Sequence, residues 1–271
     1  MLVRELLSHQ AGLPQTIPAL GWDELLDDHR AAERLAAARP LWRPGSGFGY
    51  HGITLGNLAS ELVHRIAGQT LQQYYENEIR SVLGADLYLG LPDEQRGRFV
   101  PSLKMVPPLA RIPEDPVTRL GALVFAAPDV ATDDFFNGER ALTFGHPAVT
   151  AAASARGLAS VMAAGFTGLS GAAPLLGDDT VRQISQQQVR GYDLVLGEQD
   201  FAFGIVFIKQ SARFDWGGPL SIGHDGARGA VACADPETGL AFAYSVARGP
   251  WPGGADPRAI DVVRELGYLK W

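Results

Sequence analysis

The 271-residue sequence is 46% hydrophobic and 20% charged, the composition of a globular chain long enough to bury a sizeable core. Its 23 Lys and Arg against 30 Asp and Glu give a net charge of −7, which argues against nucleic acid or an anionic membrane as partner. Cys233 is the only cysteine, so an internal disulfide and a multi-cysteine metal site are excluded, and it reads as a small buried apolar residue.

The opening run Met1 to Leu7 has no apolar stretch of signal-peptide length, and no segment approaches the ~20 apolar residues of a membrane span. A cytoplasmic chain is expected. Leu55, Leu58, Leu62 and Ile66 recur at helical spacing, with Thr54 as N-cap and Gly68 just past the end. A second helix is predicted from Leu71 to Val82, capped by Thr70, with Leu71, Tyr74, Tyr75 and Ile79 on its apolar side. From Leu91 to Thr150 the sequence is rich in proline, including Pro107, Pro108, Pro113, Pro116 and Pro128, and predicts a long irregular excursion.

Beyond it, helices are expected from Ser154 to Ala164 and after Asp179-Thr180. The period then changes. Phe201 to Ile208, Leu220 to His224, Ala230 to Ala234 and Leu240 to Val246 are short apolar runs separated by Gly, Pro and Asp, the pattern of antiparallel strands. Asp256-Pro257 opens a last helix with a cap, a proline at the first helical position and a stripe of Ile260, Val263 and Leu266. The expectation is one α+β domain, helical over about 1–190, with a sheet and closing helix over about 200–271.

Two constellations carry candidate chemistry. In Pro44-Gly45-Ser46-Gly47-Phe48-Gly49-Tyr50-His51-Gly52, glycines around one tyrosine make a tight turn before a helix. Such a turn either presents the Tyr50 phenol at the mouth of a cleft or is a connector whose tyrosine packs. In Ser221-Ile222-Gly223-His224-Asp225-Gly226, a histidine at a strand end can hydrogen-bond a substrate carboxylate or carbonyl; the plainer reading is a hairpin turned by Asp225-Gly226. Gly168-Leu169-Ser170-Gly171-Ala172 lacks the last glycine of a nucleophile elbow and reads as a loop. His64 falls on an exposed helix face. No histidine has metal-ligand spacing and no Gly-rich phosphate loop exists, so neither metal nor cofactor is expected.

The order of these landmarks resembles one family. Val3-Arg4-Glu5-Leu6-Leu7-Ser8-His9-Gln10-Ala11-Gly12-Leu13-Pro14 is similar to the "LLSHTAGLP" segment of serine β-lactamase-related proteins, which include class C β-lactamases, DD-peptidases and family VIII carboxylesterases. Trp42-Arg43-Pro44-Gly45 with Tyr50 resembles the family's tyrosine motif, and Gly56-Asn57-Leu58 with Glu61-Leu62-Val63 the helix after it. Leu83-Gly84-Ala85-Asp86 followed by Gly90-Leu91-Pro92 is similar to an esterase branch. Gly223-His224-Asp225-Gly226 looks like the strand motif in which H-x-G replaces K-T-G.

The resemblance implies a β-lactamase/transpeptidase-like fold and acyl transfer on a small acyl ester or amide, started by the serine of an S-x-x-K motif. It also implies Tyr50 as a proton-relay phenol, with His224, Asp225 and Gly226 along the substrate-facing strand. The sequence departs from the family pattern at three places. It contains no S-x-x-K, and Ser102-Leu103-Lys104 is one residue too tight. Gly52 stands where many relatives have asparagine, and Ala227-Arg228-Gly229-Ala230 where a Gly-Gly-Ser-like turn is common; Arg228 is either a carboxylate ligand or a solvated turn residue. The expectation is therefore an N-terminally shortened hydrolase lacking the first strands and nucleophile helix. The alternative is a non-catalytic ligand-binding relative, or one completed by another chain; a homo-oligomer is left open.

Overall fold

A computed structural model describes residues 1–108, 118–124, 132–212 and 214–268. The helical part begins with α1 (Val3–Leu7), α2 (Trp22–Leu25) and α3 (Asp28–Ala37), followed by α4 (Thr54–Ala67). Their apolar sides meet in a core of Leu6, Ala11, Leu13, Leu20, Leu25, Ala31, Leu35 and Leu58. α4 ends at Gly68 in the left-handed conformation that a side chain resists (φ 71°), as its position past the stripe predicts. Two details differ. Thr54 is the first helical residue and gives its hydroxyl to Leu13 O, while Ile66 ends the stripe in solvent, 85% exposed.

The second helix forms as α5 (Leu71–Tyr75) and α6 (Ser81–Leu83), joined by a π turn at Glu76–Arg80, and Thr70 caps it through the Gln73 N–H. Tyr75 is buried and Tyr74 is 40% exposed. A two-stranded ladder pairs β1 (Leu87–Tyr88) with β2 (Ala152–Ala153) at the two ends of the proline-rich stretch. The prolines between Leu91 and Thr150 hide more order than they suggest. A 3-10 turn at Asp93–Arg98 and the helices α7 (Arg119–Val124), α8 (Thr132–Asn137) and α9 (Glu139–Phe144) lie there. Each is too short for a periodic stripe to register, and they are held by packing such as the Trp22–Phe135 ring stack at 3.7 Å. Pro113, Pro116 and Pro128 lie outside the described residues.

α10 (Ala155–Met162) starts at its Ser154 cap and runs on through a π turn to Thr167; α11 is Asp178–Ser185. The 168–172 segment is a loop, as expected. The sheet comprises a hairpin of β3 (Val189–Gly191) and β4 (Phe201–Phe203), then β5 (Ile222–Asp225), β6 (Val231–Asp235) and β7 (Leu240–Tyr244) in antiparallel order. Ile208 bridges Phe203 on one side and Gly223 on the other, tying the hairpin to the meander. β3 has no counterpart among the expected strands, because its Val-Arg-Gly is too short and too polar to signal one.

Alternation sorts the meander into two faces. Val231, Cys233, Leu240, Phe242 and Tyr244 turn toward α12 (Pro257–Tyr268), whose Ala259 and Val263 are fully buried among Phe201, Phe203, Phe214 and Trp216. The smaller Ala232, Ala234 and Ala241 turn toward Met162 and Phe166 of the α10 segment. Asp256 caps α12 by accepting the Arg258 N–H, with Pro257 at the first position. Among the described residues, no helix is long and apolar enough to cross a membrane.

Candidate active site

The Gly-rich turn and β5 bring the two sequence-predicted side chains together. The Tyr50 and His224 rings lie with centroids 5.8 Å apart and planes at 36°. Beneath them is Phe203 of β4, fully buried, stacked parallel to Tyr50 at 6.2 Å. His9 fills the remaining side, 5.2 Å from Tyr50 and 4.1 Å from Phe203. Gly52 makes this arrangement possible. A Cβ there would sit 2.7 Å from Tyr50 Cε1, so the ring occupies space that an asparagine at position 52 would claim.

The Tyr50 segment is not part of any ladder, and its N–H groups find other acceptors. Gly49 N–H donates to His9 O, Tyr50 N–H to Asp193 Oδ1 at 3.1 Å, and His51 N–H to His9 Nδ1 at 3.1 Å. His51, fully buried, accepts the Leu13 N–H at Nε2 and donates Nδ1–H to Gly49 O, which fixes its neutral tautomer. Burial pushes its pKa down to about 4. His9 is lowered well below the ordinary histidine value by burial, with the neighbouring His51 and His224 adding to the effect. Its Nδ1 is the acceptor, so its proton sits on Nε2, an atom with no hydrogen-bond partner among the described residues.

On β5, His224 donates Nδ1–H to Asp225 O at 2.7 Å, so in the neutral ring Nε2 is an acceptor. Its neighbours are turned to structural work. Asp225 is buried and accepts the Ala255 N–H at 2.8 Å; Gly226 gives its N–H to Ala230 O. The β5–β6 connection is a hairpin, but its loop is the five residues 226–230 and not a two-residue Asp-Gly turn. Arg228 on that loop lies with its guanidinium 5.5 Å from the Phe136 ring centre. Gly223 permits close packing behind the strand, since a Cβ there would meet Cys233 Cβ and Phe214 Cε1, each at 2.7 Å.

His9, His51, Phe203 and Asp193 belong to this arrangement and were not singled out by residue type. His9 lies inside the Leu6-Leu7-Ser8-His9 segment, so its motif carried a signal. Asp193 had none, because its partner is 143 residues away. Among the described residues, no cluster of His, Cys, Asp and Glu has metal-binding geometry. A surface groove of about 590 Å³, lined by Asp23, Asp27, His29, Arg30 and Arg140 among others, includes none of these site residues.

The family model named Beta-lactamase matches residues 1–265, and the chain belongs to that family. Its fold is β-lactamase/transpeptidase-like. The chain is 38% identical to EstA from Arthrobacter nitroguajacolicus Rue61a, covering 98% of this chain and 72% of that one with a TM-score of 0.87. A penicillin-binding protein homologue from Caulobacter crescentus is 28% identical with a TM-score of 0.82, over 98% of this chain and 70% of its own. A family VIII carboxylesterase is 25% identical with a TM-score of 0.85, over 99% and 70%. Esterase/beta-lactamase LipL from Mycobacterium tuberculosis is 29% identical over 266 residues, which are 90% of this chain; the chain spans 58% of LipL's length.

Proposed function

We propose that these residues form the proton-relay and substrate-facing part of an esterase-type acyl-transfer site, acting on a small acyl ester or amide. The observation that carries this reading is the convergence of Tyr50 and His224, 174 positions apart, at 5.8 Å over the Phe203 floor. The family VIII carboxylesterase and the esterase half of LipL's name, esterase/beta-lactamase, support an ester substrate. In this scheme Tyr50, its proton first taken up by the lysine of a serine–lysine pair, acts as the phenolate: a serine oxygen attacks the ester carbonyl while the serine proton passes to the Tyr50 oxygen. The phenol then returns that proton to the departing alcohol, leaving an acyl-serine that water hydrolyses through the same relay. His224 Nε2, an acceptor in the neutral ring, holds a hydroxyl or amide N–H of the substrate beside the phenol.

The attacking serine is the missing part. Lys104, Lys209 and Lys270 are preceded three residues earlier by Pro101, Val206 and Gly267, so no serine–lysine pair of the S-x-x-K kind exists in the sequence. The pair is therefore supplied from outside these 271 residues, by further chain or by a partner. The outer strand β7, Leu-Ala-Phe-Ala-Tyr, is uncharged and pairs only with β6 among the described residues, which suits such completion.

The test is fluorophosphonate labelling and p-nitrophenyl ester turnover. The 271-residue protein alone gives neither, and a polypeptide that also carries the serine–lysine segment gives both. In the active form Tyr50→Phe lowers kcat by about 100-fold or more. Labelling of the 271-residue protein on one of its own serines would overturn the external nucleophile.

A further inference from the structure

Asp193 sits between β3 and β4 and is fully buried, yet nothing in the acyl-transfer scheme uses it. Its Oδ1 accepts three backbone N–H groups: Val195 at 2.9 Å and Leu196 at 2.8 Å in its own turn, and Tyr50 at 3.1 Å. The local pair is what any turn aspartate provides. The third bond is different, because it reaches across the molecule to the residue whose ring faces His224. Leu194 N–H donates to Phe48 O at 3.1 Å, so turn and tyrosine segment are joined twice.

This anchoring is costly. Asp193 Oδ2 is buried with no hydrogen-bond partner among the described residues, and burial raises the pKa of the carboxyl group. A turn that only needed closing would be closed as well by an exposed residue. With Gly49 and His51 N–H both held by His9, the Asp193 bond completes a set of three consecutive N–H anchors centred on Tyr50. We propose that Asp193 is a positioning residue, whose Oδ1 fixes the Tyr50 backbone and thereby the placement of its phenol against His224. This rests on the catalytic reading of Tyr50 for its purpose, but its test reads geometry and needs no turnover.

In the 271-residue protein with labelled aromatic rings, the Tyr50–His224 NOE is compared with the remote Trp22–Phe135 NOE. A ring displacement of about 1 Å, the scale on which catalytic geometry fails, weakens an NOE at this separation roughly threefold. Asp193→Ala and Asp193→Glu, which remove or shift the acceptor, are expected to do this at Tyr50–His224 alone. Asp193→Asn keeps an acceptor oxygen in place and is expected to preserve both NOEs. An unchanged Tyr50–His224 NOE in folded D193A or D193E, or its loss in D193N, overturns the proposal.

Should D193A fail to fold, the D193E and D193N pair decides. Amide exchange in the unsubstituted protein decides independently: Tyr50 N–H is expected to be strongly protected, and free exchange there rejects the anchor. Should the NOEs respond as expected while Tyr50→Phe leaves turnover of the completed enzyme intact, the catalytic reading fails and the positioning stands.

Discussion

Tyr50 and His224 face each other, but the chain holds them by different means. His224 rides on β5, whose register with β6 runs unbroken from Ile222–Ala234 to Asp225–Val231. Its backbone bonds are repeated along the ladder, so no single side chain is indispensable to them. Tyr50 sits on irregular backbone, and its flanking N–H groups depend on His9 and Asp193, with His51 bracing Leu13 and Gly49 from below. Irregular backbone inside a protein must find acceptors one by one, and each is then a point of failure. The strand side of the site is redundant; the tyrosine side is particular.

Acid separates the two sides most strongly. On the tyrosine side His51 is held neutral by burial, its pKa lowered to about 4, and His9 is lowered as well. His146, buried against Gly56 and beside Phe144 away from the site, is also lowered to about 4 and adds to the acid response without belonging to either side. Unfolded histidine takes up a proton near pH 6.5 and the folded groups do not, so the unfolded state binds more protons between about pH 6.5 and 4. Stability therefore rises with pH through that window and is lost on acidification, on the order of 3 kcal/mol for each of His51 and His146. Asp28 and Asp193, raised by burial, act in the opposite sense at low pH and offset part of the loss. On the sheet side, Lys209 is lowered to about 8 by burial, so its contribution rises with pH only above that value, toward its unfolded value near 10.5. Urea titrations at pH 7, 6 and 5 should show a steep acid loss, and a flat profile would remove the contrast.

Single substitutions come next in size. His51→Leu strips the Leu13 N–H of its acceptor and Gly49 O of its donor, and is expected to cost about 3 kcal/mol from two unsatisfied backbone groups. It should also flatten part of the acid slope. Gly223→Ala drives a methyl into Cys233 and Phe214 and should cost about 2 kcal/mol by overpacking, with no change in acid slope. The double variant sharpens the comparison. If the two walls are held independently, the losses add to within about 0.5 kcal/mol by chemical denaturation. A larger departure would mean that the ladder and the anchors share strain.

The same division governs what could be read in the residues. The strand side was legible because its cause is periodic and local: apolar runs broken by Gly, Pro and Asp placed β5, β6 and β7 within two residues or so. α12 was legible through its cap and proline. The glycines around the tyrosine were legible as a tight turn, open between a presented phenol and a packed connector, and a Cβ on Gly52 would crowd the Tyr50 ring at 2.7 Å. The tyrosine's support was not legible, since Asp193 lies in Gly-Tyr-Asp-Leu-Val-Leu-Gly, an ordinary turn sequence, and gains significance only from a contact made on folding. The short helices α7, α8 and α9 were missed for a related reason, being stabilised by tertiary contacts such as Trp22 on Phe135 and not by their own periodicity.

The smallest expected effect is the cap of α12, and it calibrates the others. Asp256 accepts the Arg258 N–H at 2.9 Å, a local bond of the kind that costs about 1 kcal/mol when the cap becomes alanine. Arg258, 69% exposed, pairs with the same carboxylate, and Arg258→Ala should leave the melting temperature within error. Asp193 makes two bonds of this local kind and adds one that is not local. Asp193→Ala should therefore cost more than Asp256→Ala by thermal melt, and Asp193→Asn should recover most of the difference because an acceptor oxygen remains. Equal costs at the two aspartates would reduce Asp193 to an ordinary turn residue. An excess recovered by asparagine would locate the difference in the long-range bond to Tyr50.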